Sequence, residues 1–356
     1  MAPRLGSIPT DRVGDPLPPN QTDFAALTNA AASAALDAYD LPEPVDLRPI
    51  RLLNNAVYSV TTGDGSRFAL RVHRPRGRPA QHTLAELTFL DAVHRQLARE
   101  GVRVPAPVVT SDGALSVSVE LPQDAGTLWH CDLLTWVDGD VRRPGEGLGP
   151  SGVRELGRAH AQLHLASESF TPPAGFAVPH WDADALFTER SPYRPGPIDA
   201  FLSGEDRTDF DRVAELTAKV FADLGTGSEA FGLVHMDFIL GNCHTVRTAH
   251  GWSIGVLDFD ELGYGHFLYD LAPVMGNLSD YPHLRRLRAS YLDGYRSVRP
   301  LPIELEAHLP VLMAARHAAQ CLWAAGLVHS NGSADVDTAD HIAYRMWEVR
   351  RCLAMR

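Results

Sequence analysis

One short segment of the chain, residues 233–271, constrains its fold and chemistry more than any other part. It contains the turn His235-Met-Asp-Phe-Ile-Leu-Gly-Asn242, then an apolar run at 252–257 that is typical of a strand, and then Asp258-Phe-Asp260. Four residues separate the aspartate and the asparagine of the turn, so a tight loop can direct both side chains toward one point. The segment therefore predicts a cluster of polar side chains that rigid elements hold in place.

The residue types in this cluster suit the transfer of a phosphoryl group. A hydroxyl that attacks the γ-phosphate of a nucleotide needs a carboxylate to orient it and to accept its proton, and Asp237 fits that need. Mg²⁺ ions prefer oxygen ligands, which Asn242 and Asp258 supply. Asp260 fits either a second metal ion or the cap of the following turn, and both alternatives stay open.

With these motifs the chain resembles the aminoglycoside phosphotransferase and choline kinase-like family, whose members have a protein-kinase-like fold. The resemblance rests on His235-x-Asp237-x4-Asn242, on Asp258-Phe-Asp260 and on the glycine-bearing segment 261–272. It extends by motif order from about residue 52 to about residue 327. It implies an α+β, bilobal fold with a small β-rich N-lobe and a larger, mainly helical C-lobe. It also implies that Mg²⁺ and ATP or GTP take part in the reaction.

By pattern the chain divides into an arm and two lobes. Residues 1–22 hold five prolines among small and polar neighbours, which predicts a flexible N-terminal arm. Residues 23–138 predict the N-lobe, on which a helix over 24–39 should pack. Residues 139–356 predict the C-lobe, with the catalytic loop, the metal site and the acceptor pocket. Apolar residues three and four apart predict helices in this lobe at 151–167, 207–224, 284–298 and 303–328.

The N-lobe has the pattern of an antiparallel sheet. Strands at 57–60 and 68–72 flank Gly63-Asp-Gly65, whose turn chemistry predicts a hairpin. Further short strands are predicted at 102–107, 115–120 and 133–139, the last of which leads to the crossover between the lobes.

The resemblance also assigns residues to the nucleotide. Kinase-like folds carry a basic residue, usually lysine, on the second hairpin strand, where it contacts the α/β-phosphates and pairs with a glutamate on the next helix. Here these residues are Arg71 and Glu86, the latter on a helix predicted at 80–99. Arginine contacts phosphate through a planar fork rather than as a point charge. A surface salt bridge is the alternative interpretation of this pair.

The phosphate-covering loop and the hinge have weaker signals. The loop is predicted at 53–58, where Asn54 and Asn55 replace the expected glycines, and an ordinary asparagine turn is the alternative. Adenine would bond to the backbone of the crossover, which makes Thr135, Trp136 and Val137 the hinge candidates.

Composition excludes more functions than it assigns. The formal net charge of −12 argues against an electrostatic binder of nucleic acid or of an anionic membrane. Four scattered cysteines predict neither a disulfide framework nor a zinc site, which favours a reducing cytoplasm. No signal peptide or membrane span is expected, since Arg316, His317 and Gln320 interrupt the most apolar run. The predicted partners are a nucleotide and a small hydroxylated acceptor, and the predicted assembly is a monomer or a homodimer.

Several polar residues of the C-lobe have structural interpretations. His160 and His164 lie one helical turn apart and could bind a metal, but no third ligand is visible near them in sequence, so packing is favoured. His235 is expected to brace its turn. Asp270 is expected to tie the C-lobe together by capping the next helix.

Three functions remain. The first is a small-molecule kinase that acts on an amino alcohol, an amino acid or a sugar. The second, a Ser/Thr protein kinase of the bacterial stress-response type, is disfavoured because residues 258–277 contain no serine or threonine for activation. The third is a non-catalytic nucleotide-binding pseudokinase, prompted by Arg71 and the glycine-free loop. Candidates for an acceptor pocket are the segment Trp181-Asp-Ala-Asp184, Glu189, Asp280 and Trp323.

Overall fold

The computed structural model describes residues 19–52, 55–75, 77–249, 251–279, 281–331 and 338–355. Its strands are β1 Asp46–Leu52, β2 Asn55–Thr61, β3 Arg67–His73, β4 Val102–Arg103, β5 Val117–Glu120, β6 Leu128–Thr135, β7 Asp140–Val141, β8 Phe231–Val234, β9 Cys243–Thr248, β10 Gly251–Val256 and β11 Gly263–His266. Its helices are α1 Pro19–Leu36, α2 Ala80–Arg99, α3 Pro150–Ser169, α4 Ala183–Phe187, α5 Gly204–Leu224, α6 Phe267–Asp270, α7 Ala272–Leu278, α8 Leu284–Arg296, α9 Leu309–Asn331 and α10 Thr338–Leu353.

The small lobe is built on a five-stranded antiparallel sheet in the order β1-β2-β3-β6-β5. The hairpin predicted between β2 and β3 is confirmed, and Gly65 in its turn has a φ of 84°, which favours glycine. Alternate residues of β2, among them Ala56, Tyr58 and Val60, are buried against α1. The lobe therefore has a core of its own, and the prediction that the first helix packs on it is confirmed.

Four features of this part differ from the prediction. The first helix begins at Pro19 rather than near residue 23, and residues 1–18 of the predicted arm lie outside the described residues. Asn55 begins β2 instead of lying in a loop, while Asn54 is outside the described residues. β4 covers only the first two residues of the strand predicted at 102–107 and pairs in parallel with β10, in the sheet β4-β10-β9-β7. The last predicted residue, Pro107, forms an antiparallel bridge to Leu134 of β6 in the small-lobe sheet. The helix α2 is confirmed, but its apolar face packs into the core of the large lobe.

The large lobe is mainly helical, as predicted, and its centre is the packed pair α3 and α8. Gly157 and Gly294 lie where these helices meet, because a Cβ on either residue would collide with a backbone carbonyl of the other helix. This close approach brings Tyr291 and Tyr295 of α8 against His160 and His164 of α3.

The most apolar helical segment, Ile303–His329, is long and apolar enough by composition to cross a membrane, but 78% of its apolar window is buried inside the fold. It is therefore a core helix of the large lobe. All four cysteines are buried and free.

Candidate active site

The turn at residues 235–242, named the catalytic turn after its predicted role, follows β8 and is anchored by one buried carboxylate. Asp270 accepts hydrogen bonds from the backbone N–H groups of His235 (2.9 Å) and Met236 (2.6 Å). Its Oδ2 also accepts from Nε2 of His160 (2.9 Å) and of His164 (3.0 Å). Burial alone would raise the pKa of Asp270, but these histidine contacts hold it well below its usual range. The prediction that Asp270 caps the next helix is wrong, since it ties the lobe together through the catalytic turn instead.

The same contacts settle the role of the two helical histidines. Contrary to the sequence-based expectation, a third potential ligand, Asp270, does lie beside them. However, each Nδ1 faces a tyrosine hydroxyl, at 2.5 Å from Tyr291 for His160 and 2.7 Å from Tyr295 for His164. Both ring nitrogens of each histidine are therefore used in hydrogen bonds, which explains the pair as part of a buried polar network.

His235 joins the catalytic turn to the strand that carries the metal candidate. Its Nε2 donates to the carbonyl oxygen of Leu257 at 3.0 Å, and its Nδ1 accepts from the N–H of Asp237 at 3.2 Å. Burial lowers the pKa of His235, which favours the neutral ring that this arrangement needs. The contacts fit the bracing role expected from the sequence.

Asp237 is held from two sides. Asn242 donates from Nδ2 to Oδ2 of Asp237 at 2.8 Å, and Arg316 donates from Nη2 to Oδ1 at 2.6 Å. The Asp237 side chain is 24% exposed, whereas that of Arg316 is 9% exposed. The carboxylate is thus fixed in orientation and still reachable from outside the protein.

The backbone and the carboxyl group of Asp258 have properties that suit a cation ligand. Its φ of 63° is a left-handed conformation, which costs a non-glycine residue on the order of 1–3 kcal/mol. Burial, followed by the charges of Asp260 and Asp237, raises the pKa of Asp258 to about 8. A divalent cation would relieve this repulsion, and the oxygen donors of Asp258 and Asn242 are the type that Mg²⁺ prefers.

Arg71 and Glu86 form a pair in the interior rather than at the surface. Arg71 is 8% exposed and Glu86 is 0% exposed, and Nη1 of Arg71 lies 2.7 Å from Oε1 of Glu86. The fork of Arg71, however, binds a carboxylate that sequence reasoning missed: Nε and Nη2 donate to Asp132 at 2.8 and 3.2 Å. Burial raises the pKa of Asp132, but Arg71 and His73 lower it to about 2.

Asp260 connects the two lobes. It accepts from Asn55 Nδ2 at 2.7 Å and from Arg71 Nη1 at 3.3 Å, and Arg78 Nη1 lies 3.6 Å away. Burial raises the pKa of Asp260, yet Arg78 and Arg71 lower it below its ordinary value. Arg78, which also pairs with Glu86, is a second basic residue that sequence reasoning missed.

The backbone of the predicted hinge is partly engaged within the protein. The Thr135 N–H donates to the Ala106 carbonyl at 2.8 Å, and the Trp136 N–H donates to that of Arg67 at 3.3 Å. The Val137 carbonyl accepts from His244 Nδ1 at 3.0 Å. The guanidinium of Arg67 lies over the Trp136 ring, with Cζ 3.9 Å from its centroid.

A second cluster adjoins Asp237 through Arg316. Arg316 donates from Nη1 to Glu261 Oε2 at 3.0 Å, and the Tyr193 hydroxyl donates to the same oxygen at 2.8 Å. The Trp181 indole donates to the Glu261 carbonyl at 2.8 Å. In the sequence, Arg316 was visible only as a charge that interrupts an apolar helix. That signal could have found it, because a charge in a buried stripe needs a partner.

The predicted acceptor-pocket residues separate into two groups. Trp181 belongs to the cluster around Glu261, and the half-buried Trp323 ring lies 5.7 Å from that of His341. The other members lie away from the cluster or outside the described residues: Asp182 caps α4, Asp184 pairs with Arg190 at the surface, Glu189 is exposed, and Asp280 is outside the described residues.

A family model described as a phosphotransferase enzyme family matches residues 46–307. The chain belongs to this family. A homoserine kinase from Neisseria meningitidis serogroup B is 29% identical over 299 residues, which are 82% of this chain and 87% of that relative. The solved structure of a microcompartment-associated aminopropanol kinase is 27% identical, with a TM-score of 0.74 over 92% of this chain and 98% of its own.

Amicoumacin kinase in complex with AMP-PNP, Ca²⁺ and Ami shares the fold at 21% identity, with a TM-score of 0.69 over 92% of this chain and 93% of its own. The predicted family resemblance and the bilobal kinase-like fold are thus confirmed. The chain is a small-molecule phosphotransferase that uses an alcohol group as acceptor.

Proposed function

We propose that this enzyme transfers the γ-phosphate of ATP or GTP to the hydroxyl of a small amine, with Asp237 as the base. The observation that carries the proposal is the fixed and accessible carboxylate of Asp237, which shares its turn with Asn242 and adjoins Asp258. A carboxylate so placed can orient the acceptor hydroxyl and take its proton. Asp237 thus acts in the step, while Asn242 and Arg316 keep it in position.

Asn242 and Asp258 are the residues that would hold Mg²⁺, and Asp260 is a candidate for a second ion. When bound, the metal neutralises charge on the β- and γ-phosphates. Asp258 supports this assignment because burial and the charges of Asp260 and Asp237 raise its pKa by more than Arg51 and Arg71 lower it. Asp260 differs from it, because two arginines already neutralise its charge.

On the nucleotide side, Nη1 is the nitrogen of Arg71 that is left to contact phosphate. Since Asp132 occupies its fork, only Nη1 faces Glu86 and Asp260, so Arg71 acts toward phosphate much as a lysine would. Asn55 and Arg78 border the same place through Asp260. At the hinge, the bonds already made by Thr135 and Trp136 favour the Val137 N–H as the donor to a nucleobase.

Glu261 supports an acceptor that carries an amino group. The guanidinium of Arg316 contacts both the Glu261 carboxylate and the Asp237 carboxylate, and the Glu261 side chain is 20% exposed. The proposal agrees with the similarity of this chain to an aminopropanol kinase and to homoserine kinases, whose names imply acceptors with an amine and a hydroxyl. A sugar acceptor is less supported.

The test is a panel of hydroxylated amines, amino acids and sugars, assayed for Mg-dependent nucleotide consumption and for the phosphorylated product. Turnover with a hydroxylated amine or amino acid supports the proposal. Nucleotide binding without transfer to any compound would instead indicate a pseudokinase, and transfer only to protein serine or threonine would indicate a protein kinase.

A further inference from the structure

Arg345 on α10 is a cation without a carboxylate partner among the residues that the structure describes. Its Nε donates to His341 Nε2 at 3.2 Å, and its Nη1 lies 3.3 Å from His317 Nδ1. Arg345 is half-buried. The charge of Glu348 acts on Arg345 from a distance, but the Glu348 carboxylate makes its hydrogen bond to Arg351. Leaving a partly buried guanidinium uncompensated is costly, so such a position calls for an explanation.

The two histidines around Arg345 do not supply negative charge. Burial and the charge of Arg345 lower the pKa of His341 to about 4 and hold that of His317 well below its usual range. Since Nε2 of His341 accepts from Arg345, its Nδ1 carries the proton. That Nδ1 is buried and has no hydrogen-bond partner in the described part of the chain. The histidines therefore leave the guanidinium of Arg345 without a directly bonded negative group, and such a guanidinium suits an anion.

This cluster lies beside the acceptor side of the active site. His317, which contacts Arg345, directly follows Arg316 on α9, and Arg316 lies 2.6 Å from Asp237. The charge of Arg316 also contributes to the lowered pKa of Arg345, after the larger effect of burial, so the two guanidinium groups are near each other. Consecutive residues of one helix thus connect the proposed base with the uncompensated arginine.

We propose that the acceptor carries a carboxylate as well as its hydroxyl, and that Arg345 binds this carboxylate. The inference rests on the proposed function, since it assumes that the hydroxyl lies at Asp237. A hydroxy amino acid then places its ammonium group at Glu261 and its carboxylate at Arg345. An amino alcohol of the same shape leaves Arg345 uncompensated, so the enzyme should discriminate against it.

The experiment compares acceptors that differ only by the carboxylate. Three matched pairs are L-serine and ethanolamine, L-threonine and 1-aminopropan-2-ol, and L-homoserine and 3-aminopropan-1-ol. We expect kcat/KM for the preferred amino acid to exceed that for its amino alcohol by about 100-fold, because a buried charge-assisted hydrogen bond is lost. The parent enzyme, Arg345→Met and Arg345→Lys are measured with each pair.

Arg345→Met should lower the amino acid to amino alcohol ratio by at least about tenfold, and Arg345→Lys should restore part of it. Arg285→Met, which removes an exposed arginine on α8, is the matched control and should keep the parent ratio. A parent ratio near one, a preference for the amino alcohol, or equal losses for both members of a pair in Arg345→Met would overturn the carboxylate site.

Failure of the proposed function is distinguished by a thermal-shift titration with Mg-nucleotide alone. A normal shift together with phosphorylation of none of the six acceptors overturns the carboxylate inference and leaves the kinase assignment standing. Absence of any shift with Mg-ATP or Mg-GTP counts against the proposed function itself.

Discussion

Arg71 and Arg345 are both withdrawn from solvent, but their surroundings are opposite. Arg71, between the lobes, contacts three carboxylates: Asp132, Glu86 and Asp260. Arg345, in the large lobe, contacts two neutral histidines. A charge that the protein neutralises itself stabilises the fold whether or not a ligand is bound, whereas one that it leaves without a bonded partner is a place where a ligand can supply the missing charge.

Asp258 is the negative counterpart of Arg345. Asp260 beside it is neutralised by Arg78 and Arg71, whereas burial and two neighbouring carboxylates raise the pKa of Asp258 by more than Arg51 and Arg71 lower it. By this comparison Asp258 is assigned to a metal ion and Arg345 to the acceptor. Substitutions at these positions and at Arg71 test the two assignments.

The largest expected effect is on stability. Arg71→Met leaves Asp132 and Glu86 buried without their partner and should lower the free energy of unfolding by about 3–5 kcal/mol. Arg345→Met removes a charge that has no carboxylate partner and should change it by less than about 1 kcal/mol. Urea unfolding of both variants measures this difference. Equal losses would remove the distinction between the two arginines.

The next effect concerns the metal. Asp258→Asn suits the left-handed backbone and replaces a carboxyl group whose ionised form burial disfavours, so the protein without ligand should become no less stable. Mg-nucleotide at 100 times its Kd stabilises a protein by about 2.7 kcal/mol, and this gain should disappear in the variant. Thermal-shift titrations with and without Mg²⁺ check both statements, with Asp91→Asn, an exposed position on α2, as the control. The same Mg-dependent rise in Asp258→Asn would place the metal elsewhere.

A smaller effect is the pH dependence of stability around Arg345. His341 has a folded-state pKa of about 4, whereas an unfolded histidine titrates near 6.5. Below about 6.5 the unfolded chain therefore binds a proton that the folded protein does not, and stability is lost as the pH falls toward 4. The loss is about 1.4 kcal/mol per pH unit for this histidine. Urea unfolding at pH 7 and pH 5 should show a shallower fall for His341→Gln than for the parent, and an identical fall would contradict a neutral His341.

The smallest effect is expected for Arg71→Lys on nucleotide affinity. Because Asp132 occupies the fork of Arg71, a lysine keeps the charge that faces the phosphates, and Kd for Mg-nucleotide should stay within about threefold of the parent value. Arg71→Ala should weaken binding by about tenfold or more. Titration calorimetry of the two variants measures these values. Equal weakening in both would show that the fork itself contacts phosphate.

The parts of the site that sequence predicted are those with local signals. The turn from His235 to Asn242, the hairpin and the helix with Glu86 each have their spacing or turn chemistry in a short stretch of chain. The parts that it missed depend on tertiary contacts. Asp132 meets Arg71 across 61 residues, and Arg316 meets Asp237 across 79.

Misassigned elements have the same origin. Val102–Arg103 has the composition of a strand, but nothing in its sequence indicates that its partner is β10 rather than the small-lobe sheet. The carboxylate of Asp270 could cap a helix by its position in the chain. Only the packing of α3 against α8 shows that the two histidines and the catalytic turn surround it instead.

The most direct test of the account is Asp237→Asn, measured for turnover and for nucleotide binding in the same preparation. A positioned base contributes about 10²- to 10⁴-fold and does not hold the nucleotide. We therefore predict that kcat falls by that factor while the thermal shift with Mg-nucleotide is kept. Unchanged turnover in Asp237→Asn would contradict its role as the base that accepts the proton of the acceptor hydroxyl.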